Sequence, residues 1–193
     1  AVAGKGSPAA LLMARLPAMV RKLVEERLEA ARLIERLNVQ VAKHSPASRF
    51  ITFFYAIYDP ATGVLQFVNA GHLPPVVRRA DGRFDPIIAD AGHGLALGMF
   101  ESATYQTSQL TIGPGDMLVL YTDGITEAEN PEGKAFEESG LEAVIARTAG
   151  SDPVQVGRAI LAAVDSHAAD ARLGDDLTAL VISRGPSVAA DGT

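Results

Sequence analysis

Two short acidic pairs carry the most chemistry in this sequence. Asp123-Gly124 follows directly on the apolar run Met117-Leu118-Val119-Leu120-Tyr121-Thr122, so its carboxylate emerges from the end of a buried strand. Gly124 has no Cβ, which lets backbone approach a ligand or an ion closely. Asp175-Asp176 is the mirror case, two carboxylates immediately ahead of the apolar strand Leu177 to Ser183. Adjacent carboxylates repel one another unless water or a cation intervenes. Carboxylates delivered from two strand ends suit a hard divalent ion such as Mg²⁺ or Mn²⁺, because such ions select oxygen ligands and retain waters. The same residues have a plainer reading, Asp-Gly as a turn and Asp-Asp as a solvated loop, and Asp81-Gly82 is read here as such a turn.

Other reactive residue types offer less. Ala1 to Pro8 places a glycine-rich loop at a helix start, where anions bind, but Lys5 is followed by Gly6 and the Walker pattern is not met. His72, in Asn69-Ala70-Gly71-His72, reads as a structural hydrogen-bonding residue, since a general base needs an oriented partner. His93, between Gly92 and Gly94, has still less to recommend it. Ser and His occur without a Gly-x-Ser-x-Gly elbow, so serine-hydrolase chemistry has no support. With no Cys, a disulfide scaffold, a thiolate nucleophile and a Cys-ligated zinc site are excluded.

These groups need elements to position them. Ser7-Pro8 reads as a helix start, a hydroxyl cap followed by proline at the first helical position. Leu12, Leu16, Met19 and Leu23 line one helical face and predict core packing, while Pro17 predicts a kink or a division of that helix. A second helix is predicted from Glu29, with Leu33, Ile34 and Leu37 as its apolar face. Phe50 to Tyr58 is too continuously aromatic and β-branched for a strand with one wet face, which predicts burial on both faces. Asp59 to Gly63 makes a turn and Val64 to Val68 completes a hairpin. Further strands are predicted at Pro75 to Arg79, Tyr105 to Ile112, Met117 to Thr122 and Leu177 to Ser183, with a tight turn at Gly113-Pro114-Gly115-Asp116. Helices are predicted at Ser139 to Thr148 and Asp152 to Ala169, the second capped by Asp152 ahead of Pro153.

Helices, then a block of strands, then helices and a last strand make an α+β layered fold. The 193 residues suit one domain, and 48% hydrophobic with 21% charged residues excludes disordered and fibrous classes. A net charge of −6 without a basic stripe excludes nucleic acid as a partner. No apolar run approaches the ~20 residues of a membrane span. The N-terminus carries no charged-then-apolar leader, which predicts a cytoplasmic chain.

Taken in order, these segments resemble the bacterial metal-dependent protein phosphatases of the SpoIIE type. This is the branch of the phosphatase-2C-like (PPM) superfamily that controls sporulation and stress sigma factors. The matching stretches are Val2 to Ala14, Phe50-Ile51-Thr52, Asn69 to Pro75, Leu97-Gly98, Pro114-Gly115-Asp116, Tyr121 to Ala128 and Asp175-Asp176-Leu177-Thr178. The resemblance implies a four-layer αββα sandwich, two antiparallel sheets flanked by helices. It also implies two Mn²⁺ or Mg²⁺ ions, with a metal-bound water that attacks a phosphoserine or phosphothreonine directly. Asp123 and Asp175, with Gly124 beside them, match the metal positions; Asp176, His72 and Val2 are supporting positions, Val2 through its backbone carbonyl. The implied substrate is a phosphorylated anti-anti-sigma protein of the STAS type. An upstream sensor or homodimerisation through the first helices would supply the signal, so Leu12, Leu16, Met19 and Leu23 are read as part core and part switch.

The sequence departs from the pattern in one important place. Ala1 occupies the slot of an aspartate that bridges both ions in the family, and the first strands are expected to be missing, leaving a phosphatase domain over residues 1–184 and a flexible tail over 185–193. With the carboxylates that remain, one bound ion or none is expected. That leaves a second reading open, a non-catalytic binding or signal-relay module of the same fold. Smaller departures are Leu73 and Ala96, where relatives often have proline, and Glu137, where they often have glycine.

Overall fold

The computed structural model describes residues 7–44, 49–85, 93–169 and 174–185. In chain order the elements are α1 (Ser7–Glu25), α2 (Ala30–His44), β1 (Phe53–Tyr58), β2 (Val64–Ala70), β3 (Val76–Arg78), β4 (Phe84–Asp85), β5 (His93–Gly94), β6 (Ser108–Thr111), β7 (Met117–Tyr121), α3 (Asp123–Thr126), α4 (Glu137–Arg147), α5 (Pro153–Ala168) and β8 (Ala179–Ser183). They form an α+β architecture of two sheets with helices, divided into two compact units. One unit is Ala1–His72 with Ile88–Thr111, and the other is Leu73–Ile87 with Ile112–Thr193. No helix among the described residues is long and apolar enough to cross a membrane.

In the first unit, α1 packs on α2, and α2 lies on β1 and β2. Leu12, Leu16 and Leu23 are buried, with Met19 partly so, as the helical spacing predicts. Of the kink or division expected at Pro17, the division does not occur: α1 runs through it from Ser7 to Glu25. It sits on the exposed face of the helix, and the carbonyl its missing N–H would have served belongs to Met13, itself an exposed residue. On α2, Leu33, Ile34, Leu37 and Val41 are fully buried beside Asn38. Asn38 Nδ2 donates to the carbonyls of Phe100 (2.9 Å) and Glu101 (3.2 Å), and its Oδ1 accepts from Gly98 N (2.8 Å), so this buried amide is satisfied.

The first sheet is built around β2. It pairs antiparallel with β1, Phe53 opposite Ala70 through Tyr58 opposite Leu65, and antiparallel with β6. A short parallel pairing with β5 was not expected. Asp59 shapes the predicted hairpin turn, accepting from Ala61 N (2.9 Å) and Thr62 Oγ1 (2.7 Å), and Gly63 closes it at φ 80°. The expected two-sided burial of β1 is only partial: no β1 residue is fully buried, and Ala56 and Ile57 are exposed. Among the described strands β1 pairs only with β2, which leaves it at an edge. Its aromatic residues are half-buried on both faces: Phe53 and Tyr55 pack against the helix-side core, and Phe54, on the opposite face, stacks on Phe67 at 5.3 Å.

The second sheet runs β4-β3-β7-β8, antiparallel throughout. Met117, Val119 and Tyr121 point to one face of β7 and pack against Leu141, Val144 and Ile145 of α4 and Val156, Ile160 and Val164 of α5. Asp152 caps α5 as predicted, accepting from Val154 N at 2.6 Å ahead of Pro153. The turn into β7 is anchored by Asp116, 6% exposed, which takes Arg79 Nη1 (2.7 Å), Ala80 N (2.9 Å) and Gly113 N (2.9 Å). Burial works against the Asp116 charge, but the Arg79 guanidinium and the two backbone N–H groups outweigh it and hold the carboxyl below its ordinary 3.8.

Candidate functional site

The site is a consequence of how β7 and β8 pair. Their antiparallel register places Tyr121, the last residue of β7, opposite Ala179, the first of β8. The chain leaving β7 and the chain entering β8 therefore run side by side, and these are Asp123-Gly124 and Asp175-Asp176. The approach is close. A Cβ on Gly124 would lie 2.6 Å from the Asp176 carbonyl oxygen and 3.3 Å from that of Asp175. Gly124 is buried and makes this contact possible by having no side chain.

Thr122 joins the two segments. Its backbone N donates to Thr178 O (3.1 Å), its hydroxyl donates to Asp176 O (3.0 Å) and accepts from Thr178 N (3.0 Å). Asp123 opens the one-turn helix α3, an element the sequence did not reveal. Further out, the buried Tyr121 donates its hydroxyl to Glu138 at 3.0 Å; burial first, then the Glu138 and Glu142 charges, raise its pKa.

The carboxylates themselves are open to solvent: Asp123 is half-buried, Asp175 and Asp176 are exposed. Asp123 Oδ1 accepts from Gly124 N (3.0 Å) and Asp175 Oδ1 from Asp176 N (2.8 Å). Among the described residues no Lys, Arg or His forms an ion pair with any of the three. Oxygen donors without a cationic partner fit a hard divalent ion that keeps most of its waters. They do not make a complete multi-ligand cage, since the described residues hold no group of three or more His, Asp or Glu side chains arranged around one point.

His72 belongs to the first unit and ends a tight turn there. Asn69 Nδ2 donates to His72 O (2.9 Å), His72 N donates to Asn69 Oδ1 (2.8 Å), and its Nδ1 lies 3.3 Å from Thr52 Oγ1. Gly71 in this turn has φ 71°, and a Cβ there would meet Ala96 N at 2.8 Å. Ala1 and Val2 lie outside the described residues, as does the tail beyond 185.

Solved phosphatase domains share this fold. The SiaA-PP2C domain of Pseudomonas aeruginosa matches with a TM-score of 0.77, covering 94% of this chain and 72% of that one at 17% identity. RsbX, solved in complex with magnesium, matches with a TM-score of 0.63, covering 93% and 75% at 17% identity. In sequence, the phosphoserine phosphatase RsbU of Bacillus subtilis is 31% identical over 184 residues, 95% of this chain and 53% of RsbU. The sequence model for Stage II sporulation protein E (SpoIIE) matches residues 1–185, and the chain belongs to this family of phosphatase domains, a hydrolase family. The chain spans about half of RsbU's length and smaller shares of other curated relatives.

Proposed function

We propose that residues 1–184 act as a divalent-cation-dependent protein-serine/threonine phosphatase domain, with 185–193 as a tail. The carrying observation is the contact of Asp123-Gly124 with Asp175-Asp176. Asp123 and Asp175 would hold the cation, Mn²⁺ or Mg²⁺, through carboxylate oxygens; Gly124 admits the second segment, and Asp176 contributes through its backbone. Without a cation, this group of carboxylates repels a phosphorylated side chain, so the ion is needed to reverse the local sign of charge. Bound there, it supplies Lewis-acid neutralisation of phosphoryl oxygens and an acidified water. The substrate we propose is a phosphoserine or phosphothreonine on a STAS-type anti-anti-sigma protein in the cytoplasm, with control from an upstream sensor domain or a homodimer. It is supported by membership of the SpoIIE family and likeness to RsbU.

The test is phosphate release from a phosphorylated STAS-type protein with added Mn²⁺. Release should require the ion and fall in Asp123→Asn and Asp175→Asn by more than the roughly 10–100-fold that a supporting residue costs. No release from the unaltered chain, or release indifferent to both substitutions, overturns the assignment. A second reading, a non-catalytic binding or relay module, is favoured by the incomplete ligand group among the described residues and by Ala1 in the bridging slot. Calorimetry separates the two: Mn²⁺ uptake abolished by Asp123→Ala speaks against a passive module.

A further inference from the structure

We propose that the Thr122 hydroxyl is the positioning group that keeps the two acidic segments in register. The inference rests on the phosphatase reading of the site. Thr122 stands at the N-cap of α3, with extended backbone (φ −98°, ψ 157°), yet its side chain makes no capping bond to that helix. A threonine in this position ordinarily accepts from the N–H groups of its own first turn. Here the hydroxyl is turned across the sheet instead, reaching Asp176 O and Thr178 N, 54 and 56 residues away, each at 3.0 Å.

The ladder explains why. Thr122 follows the last β7–β8 pair, and its N–H still donates to Thr178 O, as an antiparallel hydrogen-bonded pair requires. The reciprocal bond would run from Thr178 N to Thr122 O. That carbonyl has already left the sheet: it accepts from Ile125 N (3.0 Å) in the first turn of α3. The hydroxyl takes its place as acceptor for Thr178 N and uses its proton on Asp176 O. One side chain thus lets β7 turn into a helix at Asp123 without releasing the segment that carries Asp175. Loss of the hydroxyl frees Asp175 to move relative to Asp123 while the backbone of β7 and β8 stays paired.

The experiment compares Thr122→Val, of the same shape without the hydroxyl, with Thr122→Ser, which restores it. Two quantities are read on the chain: amide exchange at Thr178, and Mn²⁺ affinity by calorimetry. In Thr122→Val, Thr178 exchange should accelerate about fivefold, the factor carried by one hydrogen bond of ordinary strength. Mn²⁺ affinity should fall at least about tenfold, as for other residues that orient a ligand. Thr122→Ser should recover both. A threonine that merely stabilised the fold would lower the unfolding midpoint and leave Mn²⁺ affinity unchanged; that result, or a serine variant as impaired as the valine one, overturns the proposal. If the unaltered chain takes up no Mn²⁺, the phosphatase reading fails by itself, and Thr178 exchange decides the clamp: acceleration in Thr122→Val upholds it, no change overturns it. Should Thr122→Val not fold, Thr122→Ala against Thr122→Ser carries the same comparison.

Discussion

Gly124→Ala is the most direct probe of the packing beneath the acidic segments. The new Cβ would lie 2.6 Å from Asp176 O and 3.2 Å from Asp176 C. Ordinary contact begins near 3.4 Å, so the Asp175-Asp176 backbone must retreat by about 0.8 Å, and backbone held by the Thr122 hydroxyl just ahead of β8 yields less than a side-chain tip would. Overpacking of this kind costs about 1–3 kcal/mol. Retreat also lengthens the Thr122 hydroxyl bond to Asp176 O, worth about 1 kcal/mol. Against this stands the helix preference of Ala over Gly, about 0.8–1 kcal/mol. The net loss is about 1–3 kcal/mol, or a fall of roughly 2–12 °C in Tm for a chain of this size.

Gly157→Ala is the internal control. It lies within α5, and its added Cβ would find only Val181 Cγ2, at 4.0 Å. The same chemical change should there stabilise by about 0.8–1 kcal/mol. Thermal unfolding of both variants, with Mn²⁺ titration of each, makes the assay. The reasoning is refuted if Gly124→Ala matches Gly157→Ala in Tm and binds Mn²⁺ as the unaltered chain does.

Three further outcomes follow from other positions. Glu137 opens α4 at φ 62°, a region costly for residues with a Cβ, so Glu137→Gly should stabilise by about 0.5–1 kcal/mol in denaturant unfolding. The Tyr105 hydroxyl is buried without a hydrogen-bond partner among the described residues, and burial, then the Glu35 charge, push its pKa up to about 12; Tyr105→Phe should therefore be neutral or stabilise by about 1 kcal/mol, and a loss of stability would reveal a partner. Asp116 has a folded pKa below its ordinary 3.8, so its charge adds stability above that pH and loses it as the pH falls through the folded value; Asp116→Asn should cost about 2 kcal/mol at neutral pH, with the gap closing in acid titrations below 3.8.

The elements with strong periodicity were legible. The stripe Leu12, Leu16, Met19, Leu23 and the apolar face of α2 are read from 3.6-residue spacing alone, and the Asp59 to Gly63 turn from its residue types. Two-residue strands such as β4 and β5 have no period to read, and the parallel β2–β5 pairing depends on a partner distant in sequence. Pro17 shows the limit of a local rule, since whether its lost hydrogen bond matters depends on which side of α1 faces solvent. Asp116 read as a turn residue because its partner Arg79 lies 37 positions away and only the fold brings the two together. Glu137 was visible as a departure from glycine, but its positive φ supplies the physical reason. At the site, the sequence offered Asp123 and Asp175 as carboxylates at two strand ends, whereas the Gly124 contact and the Thr122 bonds require the register.

That register is where fold and chemistry meet. Between Asp123 and Asp175 the chain makes a long excursion through α3, α4 and α5, and it returns to within one carbonyl's reach of Gly124 because α4 and α5 seat against β7 through Leu141, Val144, Ile145, Val156, Ile160 and Val164. The pairing that results has no tolerance for slippage. Side chains alternate along a strand, so moving β8 by one residue against β7 would turn Val181 away from the helices and bring Leu180 toward them, and it would separate Thr178 from the Thr122 hydroxyl. Packing opposes that slip: Ala179 and Val181 fit into the helix-side cluster, where a one-residue shift would force in the larger Leu180 and Ile182. The hydrophobic core of this unit therefore does more than stabilise it. By excluding the neighbouring register, it sets which oxygen atoms stand opposite Asp123, and a core substitution such as Val181→Thr should weaken Mn²⁺ binding from a position that no ion touches.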